Sequence, residues 1–268
     1  MKKMISGLLS LIAVLLLTAC GSSSNENLQS EIIERGKLVV AVSPDYAPFE
    51  FKALIDGKDT IVGADIELAQ AIADELGVEL ELSSMNFDNV LSSLQTGKAD
   101  MAISGLSYTE ERAKIYDFSD AYYKTENAVL IKASDAETFT SIESLAGKKI
   151  AVQKGTIEET LSKEQFKDAN VIPLTAMGEA ISELKTDKVQ AVDLEKPVAE
   201  GYLSQNSDLA LANFALETGE GDSKAIAMPK GSGELLTTVN KVIAKLEKEG
   251  KYKDFISEAA ELTGSAIE

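Results

Sequence analysis

The sequence predicts an α/β fold of two lobes, each a mainly parallel sheet flanked by helices. From residue 37 onward, short apolar runs typical of buried strands alternate with segments whose apolar residues recur at helical spacing. After residue 134 the alternation restarts, and residues 147–152 (GKKIAV) echo residues 36–42 (GKLVVAV). Echoes this short also arise by chance, so they support two lobes only together with the alternation.

The individual elements follow from the same patterns. Apolar runs predict four strands: 37–42, 78–82, 99–104 and 127–132. Helical spacing predicts three helices: 66–76, 86–96 and 234–249. Asp65 can cap the first of these helices and Gly77 can end it. A second echo, of residues 94–102 in residues 184–192, joins a helix end to a strand in each half.

Composition narrows the chemistry that the chain can perform. The 268 residues include 26 basic and 44 acidic side chains, a formal net charge of −18, and so acidic a surface repels nucleic acid. With no His and one Cys, the usual zinc sites, His-based triads, Cys–His dyads and internal disulfides are excluded. Catalysis would depend on carboxylates, Lys or Tyr. We therefore expect no metal, no cofactor and no nucleic-acid partner.

The N-terminal segment predicts export. Two lysines precede an apolar run over 4–17, which is shorter than the about 20 residues that span a membrane and is typical of a signal peptide. Residues 17–21 (LTACG) resemble a lipobox, so we expect 1–19 to be removed and Cys20 to be lipidated. Residues 20–30 would then be the lipidated Cys and a flexible polar tether. The alternative is an ordinary signal peptide with an incidental Cys.

Arg112 is one of only two arginines in the chain. It follows an apolar strand, in the first turn of a helix that Thr109 can cap. A cation there opposes the helix dipole, so another interaction has to hold it. The guanidinium matches a ligand carboxylate bidentately, and Ser107 with nearby backbone N–H groups can complete an anion site. The alternative is a surface ion pair with a neighbouring carboxylate: Glu110, Glu111 or Asp117.

Two aromatic residues, Tyr46 and Phe87, each come shortly after a predicted strand. Ligands of open α/β sheets bind outside the carboxyl ends of the strands, so both loops point at the expected site. Two rings from two such loops can clamp an apolar chain or stack on a cation. The alternative is that both rings belong to the core.

Four motifs resemble the polar amino-acid family of ABC-transporter solute-binding proteins. They are 45–51 (DYAPFEF), 63–68 (GADIEL), 94–100 (LQTGKAD) and 109–120 (TEERAKIYDFSD). Their order and spacing fit the family from residue 36 to about residue 250. The resemblance implies a two-lobed, type II periplasmic-binding-protein-like fold that closes around its ligand.

The same resemblance implies how the chain is divided. One lobe would take residues 31–124 and 225–268, and the other residues 125–224. The chain would cross between the lobes near 123–126 and near 221–225, and the two crossovers would form the hinge. A ligand that touches both lobes would stabilise the closed state, which the membrane transporter would then recognise.

The resemblance also assigns residues to the head group of an amino acid. Arg112 would bind the α-carboxylate, helped by Ser107 and by the backbone N–H of Thr156. Glu195 would face the α-ammonium at a position where the family usually has Asp. The carbonyl of Gly105 would share this ammonium.

For the ligand's side chain, the resemblance implies stacking on Tyr46 and Phe87. Four polar residues would lie near its tip: Ser43, Ser104, Gln153 and Glu158. Members selective for basic amino acids often carry an acid at the position of Ser43, so its absence speaks against a cationic ligand. Paired rings suit a flat guanidinium and the negative net charge attracts cations, which favours arginine or another basic residue.

Together these features predict a receptor that binds a free polar amino acid, with arginine favoured, and delivers it to an ABC permease and its ATPase. We expect a monomer that is held at the extracellular face of the cell membrane by its lipid alone and is not an enzyme. One alternative is a surface sensor or adhesin that uses the same closure. Another is an enzyme on the same scaffold, such as a dehydratase or a cell-wall lytic enzyme, with Glu195 or Glu158 as acid or base.

Overall fold

The computed structural model describes residues 27–219 and 223–266. The predicted signal peptide, Cys20, most of the tether and residues 221–222 of the second predicted crossover lie outside the described residues. No helix in the described ranges is long and apolar enough to cross a membrane.

Within these ranges the chain forms nine α-helices and fifteen strands. The helices are α1 (Leu28–Arg35), α2 (Ala64–Leu76), α3 (Phe87–Gln95), α4 (Glu110–Ala113), α5 (Ile157–Gln165), α6 (Met177–Lys185), α7 (Lys196–Gln205), α8 (Gly233–Glu249) and α9 (Lys251–Leu262). The strands are β1 (Lys37–Val42), β2 (Asp45–Tyr46), β3 (Glu50–Ile55), β4 (Lys58–Val62), β5 (Glu79–Ser84), β6 (Met101–Ala102), β7 (Tyr116–Phe118), β8 (Tyr123–Lys124), β9 (Asn127–Lys132), β10 (Lys149–Gln153), β11 (Asn170–Leu174), β12 (Ala191–Glu195), β13 (Leu209–Leu211), β14 (Ser223–Lys224) and β15 (Ala227–Pro229).

The first lobe is built on a five-stranded sheet with the order β5-β1-β6-β15-β7. β1 runs parallel to β5 and β6, whereas β15 is antiparallel to β6 and β7. The apolar faces of α1, α2, α8 and α9 cover one side of this sheet around buried Leu68, Ile72 and Val239. α3 covers the other side with Val90 and Leu94. The sheet is therefore buried on both faces, as strands this apolar require.

The second lobe repeats this arrangement in a sheet with the order β11-β10-β12-β9-β13. β10 is parallel to β11 and β12, and β9 is antiparallel to β12 and β13. β1 and β10 occupy equivalent positions, which explains the echo between residues 36–42 and 147–152. The second echo joins α3 to β6 and α6 to β12, which are also equivalent. The predicted two-lobed α/β fold is confirmed, with parallel strands in the middle and at one edge of each sheet.

Two short strands link the lobes. β8 and β14 pair antiparallel, with Ser223 opposite Lys124 and Lys224 opposite Tyr123. Both lie inside the segments predicted as crossovers. Adjacent extended segments of this kind act as a hinge, because small changes in their dihedral angles rotate one lobe against the other.

Most elements lie where the sequence predicts them, and two differ. The strand predicted over 99–104 is regular only at Met101–Ala102. Asp65 does not cap α2, because Gly63 holds the N-cap position. Gly63 has a φ of +135°, and a Cβ there would lie 2.2 Å from the carbonyl oxygen of Phe49, so the close approach admits only glycine. The Asp65 carboxylate is instead fully buried.

Candidate functional site

Loops from both lobes meet around one small cavity, which we call the cleft cavity. Its lining comes from the carboxyl ends of strands in the two sheets, the place that the fold class predicts. Nine of the eleven residues expected around a ligand line it: Tyr46, Phe87, Gly105, Ser107, Arg112, Gln153, Thr156, Glu158 and Glu195. Two further residues complete the lining: Ile157 and Lys224.

The Arg112 guanidinium is held by backbone carbonyl groups of both lobes. Thr109 caps α4, and its Oγ1 accepts from the Arg112 N–H at 3.1 Å, as the sequence predicts. The guanidinium donates to the Ser107 carbonyl at 2.7 Å and to the Gly155 carbonyl, across the cleft, at 3.0 Å. Within the described ranges, Arg112 forms no ion pair with a carboxylate, so the alternative of a surface pair is not observed. Burial lowers the pKa of Arg112, while the charge of Glu158 opposes that shift.

On the second lobe, Thr156 caps α5. Its Oγ1 accepts from the Glu159 N–H at 3.3 Å and donates to the Gln153 carbonyl at 2.7 Å. The Thr156 N–H, predicted to serve a carboxylate, makes a 3.4 Å hydrogen bond to the same carbonyl. Thr156 lines the cleft cavity together with Arg112, and the positive end of the α5 dipole at this first turn favours an anion there.

Two buried carboxylates line the cavity with unused acceptor capacity. Glu195 ends β12, and Glu158 lies in the first turn of α5. They are 2% and 3% exposed, and Oε2 of Glu195 and Oε1 of Glu158 have no hydrogen-bond partner among the described residues. A buried carboxylate oxygen without a partner carries a large desolvation cost, so these atoms are suited to a ligand cation.

The two predicted rings contact both the cavity and the core. Tyr46 is 6% exposed and stacks on Phe49, with ring centroids 6.0 Å apart. Phe87 packs beside the core of the first lobe. Gly105 has a φ of +52°, and a Cβ there would lie 3.2 Å from the Tyr46 ring. The binding and core interpretations of these rings are therefore compatible.

Ser43 and Ser104 are not among the residues that line the cavity. The Ser43 hydroxyl donates to Asp45 at 3.0 Å, and the Ser104 hydroxyl donates to the fully buried Glu50. The Ser43 N–H also donates to the Ser104 hydroxyl at 3.0 Å. Their hydroxyls are thus hydrogen-bonded to neighbouring acids, and their place near the tip of the ligand stays a prediction. Burial and the nearby Asp65 raise the pKa of Glu50 well above its usual range.

Asp65 fixes the loop that carries Gly105. Its carboxylate accepts from the Gly105 N–H at 2.7 Å and from the hydroxyls of Tyr252 and Tyr122 at 2.6 and 3.0 Å. Gly105 itself lines the cavity. Asp65 therefore acts as a positioning residue for the site rather than as a helix cap.

Besides Ile157, the sequence reasoning missed two charged residues at the site, Asp45 and Lys224. Asp45 reaches across the cleft, where its carboxylate accepts from Gln153 Nε2 at 3.0 Å and from the Met177 N–H at 2.9 Å. Lys224 is 1% exposed and pairs with Glu195. For Lys224, the signal available in the sequence was a lysine directly before the apolar run 225–228. The structure describes no group of His, Cys, Asp and Glu suited to a metal.

Comparison with known proteins identifies the family to which the chain is similar. Residues 38–258 match the family of bacterial extracellular solute-binding proteins, family 3. The chain is 36% identical over 260 residues to the arginine-binding extracellular protein ArtP of Bacillus subtilis (strain 168), and the match covers 94% of this chain and 96% of that protein.

Solved structures are also similar. The amino acid ABC transporter substrate-binding protein AbpA from Streptococcus pneumoniae, bound to L-arginine, superposes with a TM-score of 0.85 at 49% identity, covering 87% of this chain and 98% of that one. AncCDT-1, an ancestral amino-acid-binding protein and precursor of cyclohexadienyl dehydratase, superposes with a TM-score of 0.79 at 34% identity, covering 86% and 98%. The resemblance seen in the sequence motifs is confirmed, and the chain belongs to family 3 of the bacterial extracellular solute-binding proteins.

Proposed function

We propose that the protein is a receptor for a free amino acid, arginine or another basic residue, and that it delivers this ligand to an ABC permease and its ATPase. The observation that carries the proposal is the set of charged groups that line the cleft cavity. The Arg112 guanidinium lines it together with two buried carboxylates, Glu158 and Glu195, each with an unpartnered oxygen. An amino acid with a cationic side chain carries the matching charges.

Arg112 is the group for the ligand's α-carboxylate. A guanidinium has five N–H donors, and the hydrogen bonds described for its side chain are the two to Ser107 and Gly155. The remaining donors can bind a carboxylate bidentately, and the first turn of α5 adds a favourable dipole from the other lobe. A ligand held this way contacts both lobes, so its binding free energy stabilises closure.

Glu158 supports a basic side chain in the ligand. Its unpartnered oxygen lies in a cavity that Tyr46 and Phe87 also line. A guanidinium stacked on aromatic rings and paired with a carboxylate combines two interactions that both favour arginine. Glu158 thereby supplies the acidic side chain that this protein does not have at position 43.

The transport role draws on the relatives, because ArtP is named as arginine-binding and AbpA as a substrate-binding protein of an amino acid ABC transporter. Residues 1–20 supply the membrane location in this proposal, with Cys20 lipidated and the monomeric receptor tethered at the extracellular face. A Cys20→Ser variant should move from the membrane fraction to the soluble one. Equal membrane retention of the variant and the wild type would contradict the anchor.

Thermal unfolding of the protein starting at residue 21 tests the ligand. Each of the twenty amino acids is added in turn at about a hundred times a micromolar Kd, an excess at which a specific ligand adds about 2.7 kcal/mol of stability. We expect the largest shift with arginine. A larger shift with glutamine would assign a neutral ligand, and no shift with any of the twenty would contradict the amino-acid receptor.

The proposed role is binding without turnover, although AncCDT-1 is described as the precursor of a dehydratase. Prolonged incubation with arginine, followed by mass spectrometry of the ligand, checks this point. We expect arginine to be recovered unchanged. A product that forms in proportion to protein concentration would instead favour an enzyme that uses Glu158 or Glu195 as acid or base.

A further inference from the structure

Lys224 places a second cation in the cleft cavity, at the position expected for the ligand's amine. Its ammonium pairs with Oε1 of Glu195, the residue expected to face the α-ammonium. It also donates to the Ser107 hydroxyl at 2.6 Å. One contact lies in each lobe, so the Lys224 ammonium joins the lobes through the same groups that a ligand head group would use.

The backbone fixes Lys224 at this point. Lys224 and Ser107 form an antiparallel bridge, in which the Ala225 N–H donates to the Leu106 carbonyl at 3.0 Å and the Tyr108 N–H donates to the Ser223 carbonyl at 3.0 Å. On its other side, Lys224 pairs with Tyr123 of the hinge strand β8. The side chain therefore starts next to Ser107 and has a four-carbon stem with which to reach Glu195 or to leave it.

The net charge of the cavity lining changes when the Lys224 ammonium leaves the cavity. The charged residues that line the cavity are Arg112, Glu158, Glu195 and Lys224, which sum to zero when all four are ionised. With the Lys224 ammonium withdrawn, the remaining three sum to −1, which complements the +1 of arginine. Two ammonium groups at one buried carboxylate repel each other strongly, because the surroundings screen them poorly.

We propose that Lys224 is a tethered competitor of the ligand's amine: its ammonium occupies Glu195, the carboxylate expected to bind the α-ammonium, and has to withdraw before an α-ammonium binds there. This inference rests on the proposed amino-acid ligand. If the competitor occupies this carboxylate nine times in ten, it weakens the apparent affinity about tenfold. Lys224 thereby sets both the affinity for amino acids and the fraction of protein that is closed without them.

Burial makes the competitor sensitive to pH. Desolvation lowers the pKa of Lys224 to about 8, although the charges of Glu158, Asp65 and Glu50 oppose the shift and that of Arg112 adds to it. The ion-paired Glu195 completes the set of charged groups around it. Between pH 7 and 8.5 the ammonium becomes largely neutral, so arginine binding should tighten over that interval in the wild type.

Calorimetric titration of Lys224→Met with L-arginine tests the competition, on protein starting at residue 21. We expect about tenfold tighter binding at pH 7 and loss of the wild-type pH dependence. Lys124→Met is the matched control, because Lys124 lies on the paired strand β8 and is exposed. Lys224→Arg retains the charge and should bind no more tightly than the wild type, which covers the case in which Lys224→Met folds poorly.

A second ligand, which lacks the α-amine, tests whether that group competes with Lys224. 5-Guanidinopentanoate keeps the guanidinium and carboxylate of arginine but lacks its α-amine, so Lys224 need not withdraw. The Lys224→Met substitution should therefore improve binding of arginine much more than binding of this analogue. Equal improvement for both ligands, or weaker arginine binding by a variant that melts like the wild type, would overturn the proposal.

Failure of the proposed function has a different signature. If no amino acid binds the wild type or Lys224→Met, the proposal of an amino-acid ligand is wrong. Small-angle X-ray scattering then tests separately whether Lys224 holds the two lobes together. Loss of the Lys224 ammonium should enlarge the radius of gyration of the ligand-free protein, whereas Lys124→Met should leave it unchanged. An unchanged radius in Lys224→Met would overturn the role of Lys224 as well.

Discussion

Gly155 of the second lobe and Asp88 of the first lobe approach each other so closely that a Cβ on Gly155 would lie 3.1 Å from the Asp88 Cα. The same two segments are joined by the Lys154–Asp88 ion pair at 2.9 Å. Arg112, in another segment of the first lobe, adds a hydrogen bond to the Gly155 carbonyl. The closed cleft therefore depends on a residue without a side chain at position 155.

Gly155→Ala should weaken ligand binding by hindering this approach. Its φ of +84° adds backbone strain of about 1–2 kcal/mol for any other residue. Gly147→Ala separates the two effects, because Gly147 has a φ of +72° on the same lobe, but a Cβ there would meet no atom within 4 Å. We expect both variants to lose similar stability in urea unfolding. Only Gly155→Ala should bind the ligand more weakly in titrations. Equal affinities of the two variants would contradict a steric role for the close approach of Gly155 to Asp88.

Arg112→Ala should abolish binding of amino acids at micromolar concentrations. Truncating one partner of a buried, hydrogen-bonded charge pair costs about 2–5 kcal/mol, a loss of about 30-fold to several thousandfold in affinity. Arg112→Lys keeps the charge but loses the bidentate geometry, so it should bind with intermediate affinity. Titration calorimetry measures both, with thermal unfolding as the check on folding. Wild-type affinity in Arg112→Ala would exclude the carboxylate assignment.

The fold could be predicted from sequence because its signals are local. The apolar runs of β1 and β9 have the predicted bounds, and Gly77 ends its helix as expected. Asp65 was misassigned because capping propensity describes only neighbouring backbone groups. Its partners Gly105 and Tyr252 are distant in sequence, and burial with them outweighs the local preference.

The site was predictable to the extent that motifs mark it. Recognisable sequence patterns surround Arg112, Tyr46 and Glu195, and the structure brings all three residues to one cavity. Lys224 carries no such mark, because its role arises from a long-range bridge to Ser107 and from a carboxylate 29 residues away. The orientation of Ser104 toward Glu50 likewise depends on packing between separate strands.

Glu158→Gln should reduce the preference for arginine. The substitution keeps the shape and one acceptor oxygen but removes the charge that faces a cationic side chain. Hydrogen bonds to charged groups contribute about 1.5–3 kcal/mol, so arginine affinity should fall by about 10- to 150-fold. Glutamine affinity should change much less. Competition titrations with both amino acids give the ratio, and a parallel loss for the two would show that Glu158 supports the fold rather than the ligand's side chain.

Stability should fall as the pH rises above about 4.5, toward the raised pKa of the buried Glu50. The pKa of Glu50 is raised well above its usual 4.5, first by burial and then by the Asp65 carboxylate. The native state therefore keeps a proton that the unfolded chain releases above about pH 4.5, and each pH unit in that window costs up to about 1.4 kcal/mol for one such group. Asp193, which is also buried with a raised pKa, acts in the same direction.

Glu50→Gln isolates one proton of this dependence. The amide has no proton to lose in this range. The slope of the free energy of unfolding against pH should therefore decrease by the equivalent of about one bound proton. Lys224 does not interfere, because its pKa of about 8 in the folded protein and 10.5 in the unfolded chain places its effect at alkaline pH, where stability rises with pH. Urea unfolding at pH 5, 6 and 7 measures the slope. The same slope in variant and wild type would mean that Glu50 is ionised in the native protein.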